Sequence, residues 1–227
     1  MIQINHMTAI LAKNFKDITR NFEVLVLFIV YPVVSFVMSQ SLGAEMTFFI
    51  AVFATMHFIF TPIVVTSNMI AEEKSKNTLR VLRMSGISSL GFFLSTAIFV
   101  ILLTCITGSS FIFMSQESMN IGLFYSAGIL GSVISILIGM SIGTFSKSPS
   151  AANGLAVPLG LIFSFLPMLS YFNKGLESIS KFLFGQQVSY LISGQKWNTE
   201  AIIICLINLL IVTGFYVFLY KRTKLDE

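Results

Sequence analysis

Residues 71–90, AEEKSKNTLRVLRMSGISSL, form the one long, strongly charged stretch of an otherwise apolar sequence. Its charged residues are Glu72, Glu73, Lys74, Lys76, Arg80 and Arg83. Long apolar runs, at about residues 47–70 and 91–113, flank it on both sides. A helix needs about 20 apolar residues to cross a bilayer. The pattern therefore predicts a water-exposed connection between two membrane-spanning helices.

The composition of the whole chain indicates the same class. Of the 227 residues, 55% are hydrophobic and 11% are charged, whereas about a quarter of the residues in a soluble domain are charged. A transmembrane barrel would show alternating segments of about ten residues instead of continuous apolar runs. We therefore expect an all-α integral membrane protein, with residues 1–227 forming a single transmembrane domain.

The apolar runs predict six spans. Their approximate bounds are 24–42, 47–70, 91–113, 121–144, 154–172 and 201–220. With both termini cytoplasmic, all of the 14 lysines and arginines except Lys174, Lys181 and Lys196 lie on the inner side. Such a bias sets the orientation of membrane proteins, so we expect a multi-pass protein of the cell membrane with both termini inside. The net charge of +4 is accounted for by topology, and no nucleic-acid partner is expected.

Two segments outside the spans have patterns of their own. In residues 1–22, the apolar positions Met7, Leu11, Phe15, Ile18 and Phe22 fall on one helical face, opposite Lys13, Lys16, Asp17 and Arg20. This predicts an amphipathic helix in the headgroup plane, with a short water-exposed tail as the alternative. Residues 173–200 form the longest outer segment. Its apolar runs are too short to span, so we expect a re-entrant segment or short capping helices.

Candidate catalytic, ion-relay and metal-ligating residues are scarce in this sequence. His57 is the only ionisable candidate in mid-span, and a bond to a neighbouring helix or a place in a cavity wall is favoured over a proton relay. Gly139 and Gly143 form a GxxxG that favours close helix packing. Neither Cys105 nor Cys205 has metal-ligand spacing. The chain has no GxxxxGK[ST] phosphate loop, so we expect no enzymatic activity, and no cofactor or metal bound by this chain.

The charged stretch itself has helical spacing over residues 72–84. Glu72 and Lys76 stand four apart, in the favourable order for an ion pair. Arg80 and Arg83 extend a basic face, and Thr78, Leu79 and Leu82 lie on another, more apolar face. Gly86 suits a turn into the next span. The pattern predicts a short cytoplasmic helix, and a solvated loop whose charges only set topology is the alternative.

This order of parts resembles the type-2 permeases of ATP-binding-cassette exporters. Those permeases carry a stretch like E-K-E-x-G-T-L-x-x-L-x-x-x-P between the second and third spans. The corresponding residues here are Glu73-Lys74-Ser75-Lys76-Asn77-Thr78-Leu79, followed by Leu82 and Gly86. Ser75, Asn77 and Gly86 replace the family's Glu, Gly and Pro. The resemblance covers the whole chain in architecture and about fifteen residues in motif.

The resemblance implies that two permease subunits, identical or related, pair in the lipid membrane. Each would dock its charged connection on a separate ATP-binding-cassette subunit, which would bind ATP and Mg²⁺. The docking candidates are Glu72, Glu73, Lys74, Lys76, Asn77, Thr78, Leu79, Arg80, Leu82 and Arg83. The candidates for lining the substrate path are Phe53, His57, Phe60, Asn68, Phe163 and Phe165. An aromatic lining favours an apolar or amphipathic cargo such as a lipid, a drug or a membrane-active peptide.

Three other readings stay open. A channel or secondary carrier would need no ATPase, but it would require intramembrane charges or a filter motif. A membrane scaffold or immunity-type protein would bind a partner without transport. A membrane enzyme ranks last because catalytic groups are lacking.

Overall fold

The structure, a computed structural model, describes residues 2–41, 46–78, 81, 84–86, 88–115 and 119–222, without the side chains of residues 2–7, 46 and 89. These ranges are helical throughout, with short connections and no strands. The helices are α1 (Ile2–Arg20), α2 (Phe22–Ser41), α3 (Met46–Ser75), α4 (Ser89–Met114), α5 (Ile121–Phe145), α6 (Pro149–Phe172), α7 (Lys174–Ser180), α8 (Phe184–Ile192) and α9 (Thr199–Arg222).

Six of these helices, α2 to α6 and α9, are long and apolar enough to cross a membrane. The predicted class of multi-pass helical membrane protein is thereby confirmed, and the bounds differ from the prediction by a few residues. The largest difference at a helix start is in α6, which begins at Pro149 instead of about residue 154. Ser148 caps this helix by accepting a hydrogen bond from the backbone N–H of Ala151, and a proline suits the first helical position.

The first part of the predicted helix over residues 72–84 belongs to α3, and the later described residues Thr78, Val81 and Met84 are helical again after a turn. Glu72, Glu73 and Lys74 form the last turn of α3, which continues without interruption to Ser75. Nothing between Pro62 and residue 75 breaks a helix, so α3 extends beyond its apolar part. The helix ends just before Asn77, whose φ of 56° lies in the left-handed region. Gly86 has a φ of 82°, in agreement with the predicted turn before α4.

Helix α3 is the centre of the bundle. It packs against α2, α4, α5, α6 and α8, and 83% of the residues in its most apolar window are buried. The corresponding fraction is only 22% in α2 and 17% in α9. These two helices leave long rows of apolar side chains exposed, including Phe36 and Val37 on α2 and Leu210 and Ile211 on α9. Apolar surface of this extent needs lipid or a protein partner to cover it.

Small residues let the neighbouring helices approach α3 closely. A Cβ atom added at Gly139 of α5 would lie 2.6 Å from the carbonyl oxygen of Ile63, and one at Gly143 would lie 2.7 Å from that of Ser67. The interpretation of this GxxxG as a packing motif is confirmed. Gly128 of α5 and Gly108 of α4 similarly make room for the ring of Phe58.

Polar side chains join the same helices. Ser132 of α5 donates a hydrogen bond of 3.1 Å to the carbonyl oxygen of Phe58. Thr61 of α3 donates one of 2.9 Å to the carbonyl oxygen of Leu27 in α2. Hydrogen bonds between membrane helices contribute about 0.6 kcal/mol each on average. They therefore add to the packing of α3 without replacing it.

Candidate functional site

The charged end of the bundle, where α3 finishes at Glu72 to Ser75, is organised around Glu73. Lys13 of α1 donates a hydrogen bond to the Glu73 carboxylate and also lies 3.0 Å from the Asp17 carboxylate. Thr78, in the connection after α3, donates its hydroxyl to Glu73 as well. The Glu73 side chain is only 13% exposed, whereas that of Lys13 is 33% exposed. One carboxylate thus joins α1, the end of α3 and the start of the charged connection.

This environment shifts the pKa of the Lys13 ammonium group. Partial burial by itself lowers the pKa of Lys13, but hydrogen bonds and Coulombic attraction from Glu73 and Asp17 outweigh the burial. The pKa of Lys13 therefore lies above its ordinary value of 10.5. A raised pKa means that the stability contributed by this pair is fully present below pH 10.5 and is lost as the pH rises through the folded-state pKa. The tie between α1 and α3 is intact at physiological pH.

Two further lysines hold the charged end in place. Lys74 donates a hydrogen bond of 2.6 Å to the carbonyl oxygen of Thr144, in the last turn of α5. The carboxyl end of a helix carries a partial negative charge that favours a cation there. Lys76 pairs with Glu72 at 2.5 Å, which confirms the predicted ion pair over four residues. Hydrogen bonds and ion pairs therefore fasten the end of α3 to both α1 and α5.

Part of the predicted docking surface lies outside the described residues, namely Leu79, Arg80, Leu82 and Arg83. Two apolar side chains of the same stretch are described, and both are strongly exposed: Val81 by 60% and Met84 by 81%. The sequence analysis missed both. Their spacing of three residues, close to Leu79 and Leu82, is the signal that would have found them. The connection thus presents exposed apolar groups among its charges.

Reversing the Lys13–Glu73 pair tests whether it holds α1 to the bundle. Lys13→Glu places a third carboxylate beside Asp17 and Glu73, and Glu73→Lys leaves two cations together in a half-buried site. Breaking a buried pair costs 3–5 kcal/mol, so about 2 kcal/mol is expected for this partly exposed one. A loss of that size lowers Tm by about 4–8 °C, as measured by thermal unfolding in detergent.

The double variant Lys13→Glu/Glu73→Lys restores an opposite-charge pair at the same place. It should recover part of the lost Tm. A double variant no more stable than the worse single variant would show that the two side chains do not interact.

Of the six candidate path residues, four lie on α3 and two lie on α6, and their side chains contact different neighbours. His57 is fully buried, and its Nε2 atom lies 3.1 Å from the carbonyl oxygen of Thr104 and 3.0 Å from the hydroxyl of Thr107, both in α4. This geometry agrees with the favoured interpretation of a bond between neighbouring helices. Phe60 packs edge-on against Tyr31 of α2, with ring centres 5.9 Å apart. Both side chains therefore act as packing groups within one chain.

The other four candidates also have separate surroundings. Asn68 donates a hydrogen bond of 2.7 Å to the side-chain oxygen of Asn153 in α6. Phe163 of α6 lies against Phe184 of α8, with ring centres 5.3 Å apart. Phe53 and Phe165 are half-buried. None of the six candidates lines either of the two cavities described below.

Two adjoining cavities lie at the opposite end of the bundle, where α3 begins and α6 ends. The first, called here the aromatic cavity, has a volume of about 480 Å³ and includes Phe48, Tyr171 and Tyr190 in its walls. The second, called the lysine cavity, has a volume of about 420 Å³ and is lined by polar and charged side chains of α7, α8 and the start of α9. Sequence reasoning identified neither. The walls of the aromatic cavity come from segments far apart in the chain, and those of the lysine cavity come from separate elements within residues 174–201.

Hydrogen bonds order the wall between the two cavities. Ser170 of α6 donates a hydrogen bond of 2.8 Å to the side-chain oxygen of Gln186 in α8. Tyr190 donates one of 3.2 Å to the Glu177 carboxylate. Burial, followed by the interaction with Glu177, raises the pKa of Tyr190. Helix α8 is thereby tied to both α6 and α7.

Fold and site together define a multi-pass helical membrane protein with a charged end and a cavity-bearing end. No protein-family model matches the chain, and no curated protein matches it either.

Proposed function

We propose that this chain is the permease subunit of an ATP-driven exporter. It would work with a separate ATP-binding-cassette subunit and with a second permease subunit, in a cell membrane with both termini cytoplasmic. The observation that carries the proposal is the connection after α3. This connection exposes apolar side chains, Val81 and Met84, among charged residues, and it follows directly from the central helix of the bundle.

A docking surface at this place would be mechanically coupled to the transmembrane helices. Helix α3 runs unbroken from Met46 to Ser75, and it packs against α2, α4, α5, α6 and α8. A displacement of the charged connection by an ATPase would therefore move α3 against α5 and α6. Because Lys13 of α1 is paired with Glu73 of α3, α1 would move together with α3.

The surface of α1 supports an interfacial position for this helix. Its buried residues Ile10, Asn14 and Ile18 form the face that packs against the bundle. Phe15, from the predicted apolar face, is instead 62% exposed, and Phe22, at the start of α2, is 78% exposed. A helix with one face on protein and an aromatic ring on its other side suits the headgroup region of a bilayer.

Helices α7 and α8 are proposed to form the re-entrant segment on the outer side. Helix α8 packs against α3, α5, α6 and α9, and its residues Phe184 and Val188 are fully buried. With nine residues it is too short to span a bilayer. Its position supports a segment that enters between the spans and returns to the same side.

The exposed apolar faces of α2 and α9 would be covered by lipid and by the second permease subunit. A substrate path would then form between the two subunits. The proposed cargo is apolar or amphipathic, because the exposed faces are rich in Phe, Val, Leu and Ile.

The proposal is tested by affinity purification of the chain in mild detergent, followed by mass spectrometry and an ATPase assay on the same sample. The expected result is a co-purifying protein with phosphate-loop and signature motifs, together with ATP hydrolysis. A preparation with neither, repeated after chemical cross-linking in the native membrane, would contradict the proposal. It would favour an ATPase-independent carrier or a scaffold.

A further inference from the structure

The three lysines that depart from the charge bias of the chain converge on one place. Lys174, Lys181 and Lys196 all line the lysine cavity, although they come from α7, from the turn after it and from the segment before α9. Basic residues are otherwise concentrated near the charged end. Three cations gathered at the other end therefore call for a reason other than topology.

We propose that the lysine cavity binds the phosphate group of an anionic lipid headgroup. The cavity has a volume of about 420 Å³, enough for a phosphate and its glycerol. None of the three ammonium groups has an ion pair with a described residue. Lys181 instead lies 5.0 Å from the centre of the Phe182 ring. All three side chains are exposed and free to turn toward an anion.

The charge balance of the cavity favours an anion. Two carboxylates, Glu177 and Glu200, also line it, so three positive charges stand against two negative ones. The Glu177 carboxylate already accepts a hydrogen bond from Tyr190. Ser178, Gln187 and Asn198 add neutral polar groups to the walls. Lysine binds phosphate as a mobile point charge, and basic pockets between membrane helices bind phosphate headgroups.

The position of the cavity selects a lipid over a soluble phosphate. Helix α6 ends beside the cavity at Phe172, and α9 begins beside it at Thr199. The cavity therefore lies at the height of the lipid headgroups. It shares Glu177, Tyr190, Leu191 and Gln195 with the aromatic cavity. The walls of that neighbour include Phe48, Leu123 and Tyr171, which offer apolar contact to an acyl chain. The inference does not depend on the proposed exporter function.

The test compares the wild-type chain with the triple variant Lys174→Gln/Lys181→Gln/Lys196→Gln by native mass spectrometry in neutral detergent. Phosphatidylglycerol and phosphatidylcholine are the probes. Each lysine near anionic lipid contributes about 1 kcal/mol, so the triple variant should bind phosphatidylglycerol roughly 100-fold more weakly. The control Lys16→Gln/Lys147→Gln changes exposed lysines near the charged end and should leave the tightest binding step unchanged. Equal Tm values without added lipid show that all the variants are folded.

A second arm separates lipid from free phosphate. Inorganic phosphate is added to lipid-free protein, and the rise in Tm is compared between the wild-type chain and the triple variant. Lysine-dependent binding of phosphatidylglycerol assigns the site to the lipid headgroup, whereas a lysine-dependent response to inorganic phosphate alone assigns it to a soluble phosphate. Equal binding of phosphatidylglycerol by the wild type and the triple variant, with no response to phosphate, would overturn the proposal.

Discussion

Under the proposed exporter function, replacing Met84 by aspartate is expected to abolish ATP hydrolysis by the partner subunit while leaving the bundle folded. Met84 is 81% exposed and lies beyond the end of α3, so the substitution disturbs no internal packing. A carboxylate in an apolar docking contact must lose its hydration without gaining a partner. Loss of a central contact in an interface costs 2 kcal/mol or more, which weakens the complex by about 30-fold or more. Leu79→Asp, in the same connection, is expected to have the same effect.

The measurement is the ATPase activity and the amount of co-purified partner, with the folded state followed by size-exclusion chromatography in detergent. Met84→Leu is the matched control, because it keeps an apolar side chain of similar volume and should retain both activity and partner. Normal coupling in both aspartate variants would exclude the connection as the docking surface. Loss of coupling in the leucine variant would instead indicate a specific role for the thioether.

Replacing Gly139 by leucine is expected to force α5 away from α3 and to destabilise the bundle more than any of the other substitutions. Even the Cβ atom of an alanine would stand 2.6 Å from the carbonyl oxygen of Ile63, a backbone atom that cannot turn aside. Gly139→Ala should therefore cost about 1–3 kcal/mol through overpacking, although alanine favours a helix by about 1 kcal/mol relative to glycine. The leucine side chain is too large for the interface and would also break the hydrogen bond from Ser132 to Phe58.

Gly214→Ala in α9 provides the control for this prediction, because no atom lies within 4 Å of the position that its Cβ would occupy. This variant should be as stable as the wild type or slightly more stable. Thermal unfolding in detergent checks the series, with the order Gly214→Ala, wild type, Gly139→Ala and Gly139→Leu from highest to lowest Tm. A Gly139→Leu variant with wild-type Tm would show that α5 does not pack on α3 as described.

Features that depend on neighbours in the chain were predictable. The six apolar runs are long enough to span by themselves, so their number and class followed from composition and length. The Glu72–Lys76 pair also followed, because four residues of helix place the two side chains together. The extension of α3 to Ser75 was missed because the change from apolar to charged residues was taken as the end of the helix. It marks only where the helix leaves the apolar layer.

The contacts that define the candidate sites required the tertiary structure. Lys13 and Glu73 are 60 residues apart, and the lysine cavity collects side chains from three separate segments. Sequence could not show which helix lies at the centre either. The most apolar windows of α3 and α9 have mean hydropathies of 2.2 and 2.7, yet 83% and 17% of their residues are buried. Lipid and protein interior are similarly apolar, so a membrane helix needs no polar stripe to mark its exposed face. Length and composition were therefore sufficient to predict six helices long and apolar enough to span a membrane, with a charged connection between two of them. Packing through glycines, polar bonds and long-range ion pairs decided which helix is central and which side chains meet.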